Sequence, residues 1–174
     1  HTIAVDRDNV VWISSTDDKG SISSFNGKSW RSFSVRDGLP DLRAYSIAVD
    51  HDNVKWFGGF YGVYRFDGVS WENYSVQDGL AGNWVQSIAV DRNNVKWFAT
   101  SNGISRFDGA KWESFHPDDL FPGNFNCVAV DQNNVKWFAG FNTGVYSYDD
   151  RASTPVQAIV PVSYALSNRP NPFN

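Results

Sequence analysis

The segment Ser46 to Gly59 reads Ser-Ile-Ala-Val-Asp-His-Asp-Asn-Val-Lys-Trp-Phe-Gly-Gly, and it returns as Ser87 to Thr100, as Cys127 to Gly140 and, more loosely, as Thr2 to Ser15. The aspartates that anchor the copies, Asp6, Asp50, Asp91 and Asp131, are 44, 41 and 40 residues apart. A unit of this size cannot bury its own faces, so successive units must supply one another's core. Short alternating runs broken by Asp/Asn and Asp-Gly turns make each unit a set of strands rather than helices. About forty residues of short strands is the size of one β-propeller blade. The expected fold is all-β, a propeller fragment of about four four-stranded antiparallel blades. Their expected bounds are about 2–45, 46–86, 87–126 and 127–150. Four such blades are expected to form an open arc with exposed ends, completed by remaining blades of the same chain.

Within a unit the plan is a meander. Ile47 to Asp50 and Val54 to Gly58 flank the turn His51-Asp52-Asn53, and Val63 to Phe66 and Trp71 to Val76 flank Asp67-Gly68. Asp and Asn tolerate left-handed backbone angles and bond their own main chain, so the first hairpin can turn without glycine. Val54 and Trp56 on one face and Phe57 on the other suit a strand between two sheets. The fourth unit lacks a Trp-initiated last strand. Residues 151–165 read as a linker or as the missing outer strand, with Val156 to Val162 as its candidate and Pro161 confining it to an edge. Residues 166–174 read as a tail or the opening of another domain.

Composition removes several classes of function. A net charge of -4 provides no basic field for nucleic acid, and no apolar run is long enough for a membrane-spanning helix. One cysteine, Cys127, can form neither an intrachain disulfide nor a zinc cluster. The chain has 0 Met and opens inside a repeat, so its natural start is expected upstream. His1, His51 and His116 are spread over the fragment end, a turn and a strand end, without metal-ligand spacing. The acidic pairs Asp17-Asp18, Asp118-Asp119 and Asp149-Asp150 fall in loops and read as solvated. The Asp-x-[Asp/Asn]-Asn tetrads offer two or three oxygens where calcium wants six to eight, so they read as turns. No metal, cofactor or catalytic residue is expected, and the chain is not expected to be an enzyme.

The meander also sorts the loops. The second-to-third turn and the link to the next blade share one face, which collects Arg43, Tyr45, Phe60, Tyr61, Trp84, Phe121, Phe125 and Phe141. Loop aromatics can stack on sugar rings or dock a protein, or they can plug the space between blades. Arg43, Tyr45, Phe60, Tyr61, Trp84, Phe125 and Phe141 are the candidate ligand-binding residues, with a glycan or a protein as partner.

The unit Ile-Ala-Val-Asp, x-x-Asn-Val-Lys-Trp-Phe, Gly-Val-x-Arg-Phe-Asp-Gly resembles the two-component-regulator propeller repeat over residues 2 to about 150. Asp50, Asn53, Trp56, Gly62, Val63, Phe66 and Asp67 carry the likeness, as do Asp91, Asn94, Trp97, Gly103, Ile104, Phe107 and Asp108. The resemblance implies extracytoplasmic regions of hybrid histidine kinases, many reading polysaccharide fragments, or secreted proteins. The tail, with Pro170-Asn171-Pro172-Phe173-Asn174, is similar to the opening of a type IX secretion sorting domain or a related immunoglobulin-like domain. Together these imply an exported bacterial protein at the cell surface, in the medium or in the periplasm. The reading is a non-enzymatic recognition or scaffold propeller. Its alternatives are a glycan-sensing propeller of a hybrid kinase and a propeller lyase or hydrolase.

Overall fold

The structure is a computed structural model that describes residues 2–15, 21–39, 43–116, 123–140, 144–152 and 156–160. Its four antiparallel sheets each run in chain order from first strand to fourth. Blade 1 is β1 (Thr2–Val5), β2 (Val11–Ser15), β3 (Ser21–Phe25) and β4 (Trp30–Phe33). Blade 2 is β5 (Ser46–Val49), β6 (Lys55–Gly59), β7 (Gly62–Phe66) and β8 (Trp71–Tyr74). Blade 3 is β9 (Val85–Val90), β10 (Lys96–Thr100), β11 (Gly103–Phe107) and β12 (Trp112–Phe115). Blade 4 is β13 (Cys127–Val130), β14 (Lys136–Gly140), β15 (Gly144–Tyr148) and β16 (Val156–Val160). The apolar run after Pro155 therefore takes the outer position, paired to β15. Pro161 and the tail to Asn174 lie outside the described residues.

Among the described residues the apolar clusters sit at the junctions between successive blades rather than within one blade, and the repeated Trp-Phe pair divides between them. Trp12 packs with Phe57 and Phe66 of blade 2, Trp56 with Phe98 and Phe107 of blade 3, and Trp97 with Phe138 and Tyr148 of blade 4. Side chains alternate across a strand, so adjacent Trp and Phe serve the junctions before and after their own sheet. The first strands differ accordingly: Ile47, packed against blade 1, is 9% exposed, whereas the corresponding Ile3 of blade 1 is 67% exposed.

The first hairpin is built by its aspartate. Asp50 Oδ1 accepts the Asp52 and Val54 amides, and Asn53 turns the chain at φ 62°. Asn9, Asn94 and Asn134 sit at φ 60°, 62° and 65°, the left-handed region that a side-chain amide makes accessible. Asp50 Oδ2 takes the indole N–H of Trp56 at 2.9 Å, and Asp6, Asp91 and Asp131 hold Trp12, Trp97 and Trp137 in the same way.

That carboxylate also reaches the next blade. Lys55 Nζ lies 3.0 Å from Asp6, Lys96 Nζ 3.8 Å from Asp50, and Lys136 Nζ 3.3 Å from Asp91. Each ammonium also sits over the preceding blade's tryptophan, 5.2 to 5.3 Å from the ring centroid. The left-handed asparagines add a second tie. Asn53 Oδ1 accepts the Arg7 amide, Asn94 Oδ1 that of His51, and Asn134 Oδ1 that of Arg92. Turn, tryptophan and neighbour are thus set by one short motif.

Two consequences can be measured. Asp50→Ala strands buried Lys96, frees the Trp56 indole and undoes the turn, so it should cost about 3–5 kcal/mol in urea unfolding. Lys96→Met leaves Asp50 its three hydrogen bonds, and Val11 occupies the lysine register of blade 1, so its cost should stay near 1 kcal/mol.

Acid should loosen the same network. Burial opposes ionisation of Asp6, but hydrogen bonds from Trp12, Val10 and Lys55 outweigh it and hold the carboxyl below its ordinary value of 3.8. Asp131 is lowered by Trp137 and the Val135 amide, and Asp67 is held down to about 2 by the Ser70 and Val69 amides. Groups depressed in the folded state contribute stability that is complete above the unfolded value and is lost as pH falls through the folded ones. The urea midpoint should therefore hold from neutrality down to about pH 5 and fall steeply between about pH 4 and pH 2.

Candidate functional site

Tyr45 ends the link into β5, Phe60 and Tyr61 turn β6 into β7, and Trp84 ends the link into β9. Backbone bonds hold these segments together: the Tyr45 amide donates to Gly58 O at 2.7 Å, that of Gly62 to Asn83 O at 2.7 Å, and that of Ser101 to Trp84 O at 3.0 Å. Gly62 makes the turn possible. Its φ is 110°, and a Cβ there would lie 2.0 Å from Tyr74 O, so the chain reverses tightly and leaves Phe60 and Tyr61 at the tip.

The three rings meet. Tyr45 and Phe60 are edge to face with centroids 5.1 Å apart, Phe60 and Trp84 are also 5.1 Å apart at 31°, and Tyr45 lies 6.3 Å from Trp84. They remain 37%, 39% and 39% exposed. Tyr61 is exposed beside them in sequence, and Arg43 is exposed in the link before β5. Phe121 and Phe141 lie outside the described residues.

Phe125 does not join the exposed cluster. It is 0% exposed and packs edge to face against Phe138 and Tyr146, with its amide bonded to Thr100 O. The reason is register. Phe125 stands six residues before Asp131, as Ala44 stands before Asp50 and Val85 before Asp91, and all three are buried. This position plugs the seam against the preceding blade: Ser14 Oγ donates to Ala44 O, and Val85 fills the space left by Gly58. Counting back from the aspartate, rather than grouping by aromatic type, is the sequence signal that identifies Phe125 as core.

The same counting shows that the exposed cluster belongs to one junction. Arg43 and Asn124 stand in the register of Trp84, Gln86 and Asn126 in that of Tyr45, and Ser101 in that of Phe60. In the β10–β11 turn of blade 3, Asn102 Nδ2 donates to Ala81 O of the link from blade 2 and lies 3.5 Å from His116 Nδ1. Among the described residues no three His, Cys, Asp or Glu side chains are grouped to hold a metal ion. Asp149 and Asp150 are committed to cations: Arg151 holds Asp149 down to about 2, and Asp150 lies 3.4 Å from Lys136. Asp17, Asp18, Asp118 and Asp119 lie outside the described residues.

No known family's sequence profile and no curated protein matches this chain. Solved structures do. The extracellular domain assigned to a hybrid two component system of B. thetaiotaomicron superposes with a TM-score of 0.72 at 21% identity over 92% of this chain and 22% of that one. This arrangement is a β-propeller. Virginiamycin B lyase from Staphylococcus aureus gives 0.71 at 15% identity over 89% of this chain and 53% of its own. PorZ, described as a surface component of the type-IX secretion system of Porphyromonas gingivalis, gives 0.65 at 20% identity over 88% of this chain and 25% of its own. The chain therefore spans from about a fifth to just over half of the length of these propellers.

The two kinds of aromatic should separate under mutation. Phe125→Ala opens a cavity in a sealed seam and should cost about 3–5 kcal/mol in urea unfolding, whereas Tyr45→Ala, Phe60→Ala and Trp84→Ala should each cost much less.

Proposed function

We propose that this chain is the recognition part of an exported bacterial propeller, binding a glycan through the loop face of blades 2 and 3 without catalysing a reaction on it. The observation that carries this reading is the exposed ring cluster of Tyr45, Phe60 and Trp84. Tight turns aim it outward, and two of its three members add a polar N–H or O–H to an apolar face. Sugar rings present C–H faces to stack on and hydroxyls for such groups. Among the described residues, every carboxyl with a displaced titration is lowered by hydrogen bonds or ion pairs close by, the opposite of what a general acid needs.

Export is supported by neighbours described as extracellular domains and as a surface component, and by the resemblance of the tail to a sorting domain. A sensor role is the second reading, favoured by the extracellular two-component domains among the structural neighbours. Affinity electrophoresis through gels containing a panel of bacterial and plant polysaccharides tests the proposal. At least one should retard the protein, and Tyr45→Ala/Phe60→Ala/Trp84→Ala should abolish the retardation while leaving the unfolding transition cooperative. Retardation unchanged in the triple variant would remove the site.

A further inference from the structure

Away from the loop face, on the hairpin side, blades 2 and 3 share a device that blade 1 lacks. Arg65 and Arg106 stand opposite Trp56 and Trp97 across the sheet. Each runs to acids on its own blade. Arg65 Nη1 lies 3.1 Å from Glu72 and 3.5 Å from Asp67, and Arg106 Nε donates to Glu113 at 2.7 Å with its guanidinium 5.8 Å from the Trp97 centroid. Arg106 covers its tryptophan, and in both blades the acids neutralise the arginine.

Blade 1 changes all three positions. Ser24 stands opposite Trp12 in the arginine register, and Arg31 faces Ser24 where Glu72 and Glu113 face the arginines. Asn26 begins the turn where Asp67 and Asp108 begin theirs. The short serine leaves the seam between blades 1 and 2 open as a cavity of about 260 Å³. Trp12, Phe33 and Phe66 line it, with Arg31 and Asn26 exposed at its rim and Lys55 buried within.

The chemistry of the cavity is reversed as well as its volume. Two acceptor groups have become a guanidinium and an amide. The acids that remain in the lining are engaged: Asp6 by Trp12, Lys55 and two backbone amides, and Asp8 by the Asn53 amide at 2.7 Å. Arg31 is stacked on Phe33, 4.5 Å from its centroid, and its ion pair with Asp37 is a long one of 3.9 Å near the surface. Such a pair contributes little, so the guanidinium fork keeps donors to offer. The volume is below the roughly 300–1,000 Å³ of pockets for drug-sized ligands, which limits the occupant to about one ring.

We propose that this cavity binds a small carboxylic acid carried on a six-membered ring, the carboxylate on Arg31 and the ring in the space beside Ser24. An acidic sugar and an aromatic acid share this chemistry. The site is separate from the aromatic cluster on the loop face and does not depend on it.

Ligand-observed NMR titration of the whole chain tests the proposal, with benzoate and glucuronate as probes and benzyl alcohol and glucose as their uncharged counterparts. At least one acid should bind about tenfold or more tightly than its counterpart, and the ring that does so identifies the source. Arg31→Glu keeps the cavity open and should erase that preference. Ser24→Arg/Arg31→Glu rebuilds the Arg–Glu pair of blades 2 and 3 inside the cavity, and should abolish binding with no loss in thermal midpoint. The proposal is overturned if neither acid binds below about 10 mM, if the acid preference survives Arg31→Glu, or if a folded double variant binds as the parent does.

Discussion

The contact on which the rest of this structure depends is a carboxylate shared between two sheets. Asp50 closes its own hairpin, fixes the Trp56 indole and meets Lys96 of the next blade; Asp6 and Asp91 do the same one blade earlier and one later. A charge pair inside a seam gains attraction but loses hydration, and alone it adds little to stability. Here the carboxylate is already surrounded by donors, so the lysine adds to a site that has been desolvated for other reasons. The aliphatic stem of the lysine and its seat over the tryptophan use the rest of the side chain. The left-handed asparagines link the same turns again. These ties join each sheet to the next, and the Trp-Phe pair fills the seams between them.

A frame fixed in this way frees the positions outside it. Where the repeat is kept, the side chains are buried or bonded, as with Trp56, Phe57 and Lys136. Where it lapses, chemistry becomes available. The loop face of blades 2 and 3 gathers three rings because Tyr45, Phe60 and Trp84 replace the polar residues found in the same registers one blade on. The seam of blades 1 and 2 opens because Ser24 and Arg31 replace an arginine and a glutamate. Both features lie on departures from the repeat, at opposite ends of the strands, and each is supported by a scaffold that the departure leaves intact.

The register of the repeat made a good part of this legible. The meander places Tyr45, Phe60 and Trp84 near one another at one end of the strands, and their rings are in contact. Phe125 shows the limit of reading residue types: an aromatic in a loop looks like a candidate for binding until its position relative to Asp131 puts it in the row of Ala44 and Val85. The inter-blade lysines were equally visible as letters. In sequence, Lys55 and Lys96 are charged residues at the start of strands, and only the arrival of the neighbouring sheet turns them into buried partners of Asp6 and Asp50.

By itself, the sequence determined the unit: four strands, their alternation, and turns made by Asp, Asn and Gly. These are local matters of backbone preference and side-chain period. What only the tertiary structure decided is what each unit meets. Whether a ring is buried in a seam or left exposed depends on the stacking of sheets that are about forty residues apart in the chain, as do the partner of each lysine and the cavity left by a missing arginine. Those contacts are set by the distance and angle between blades, which no single repeat contains.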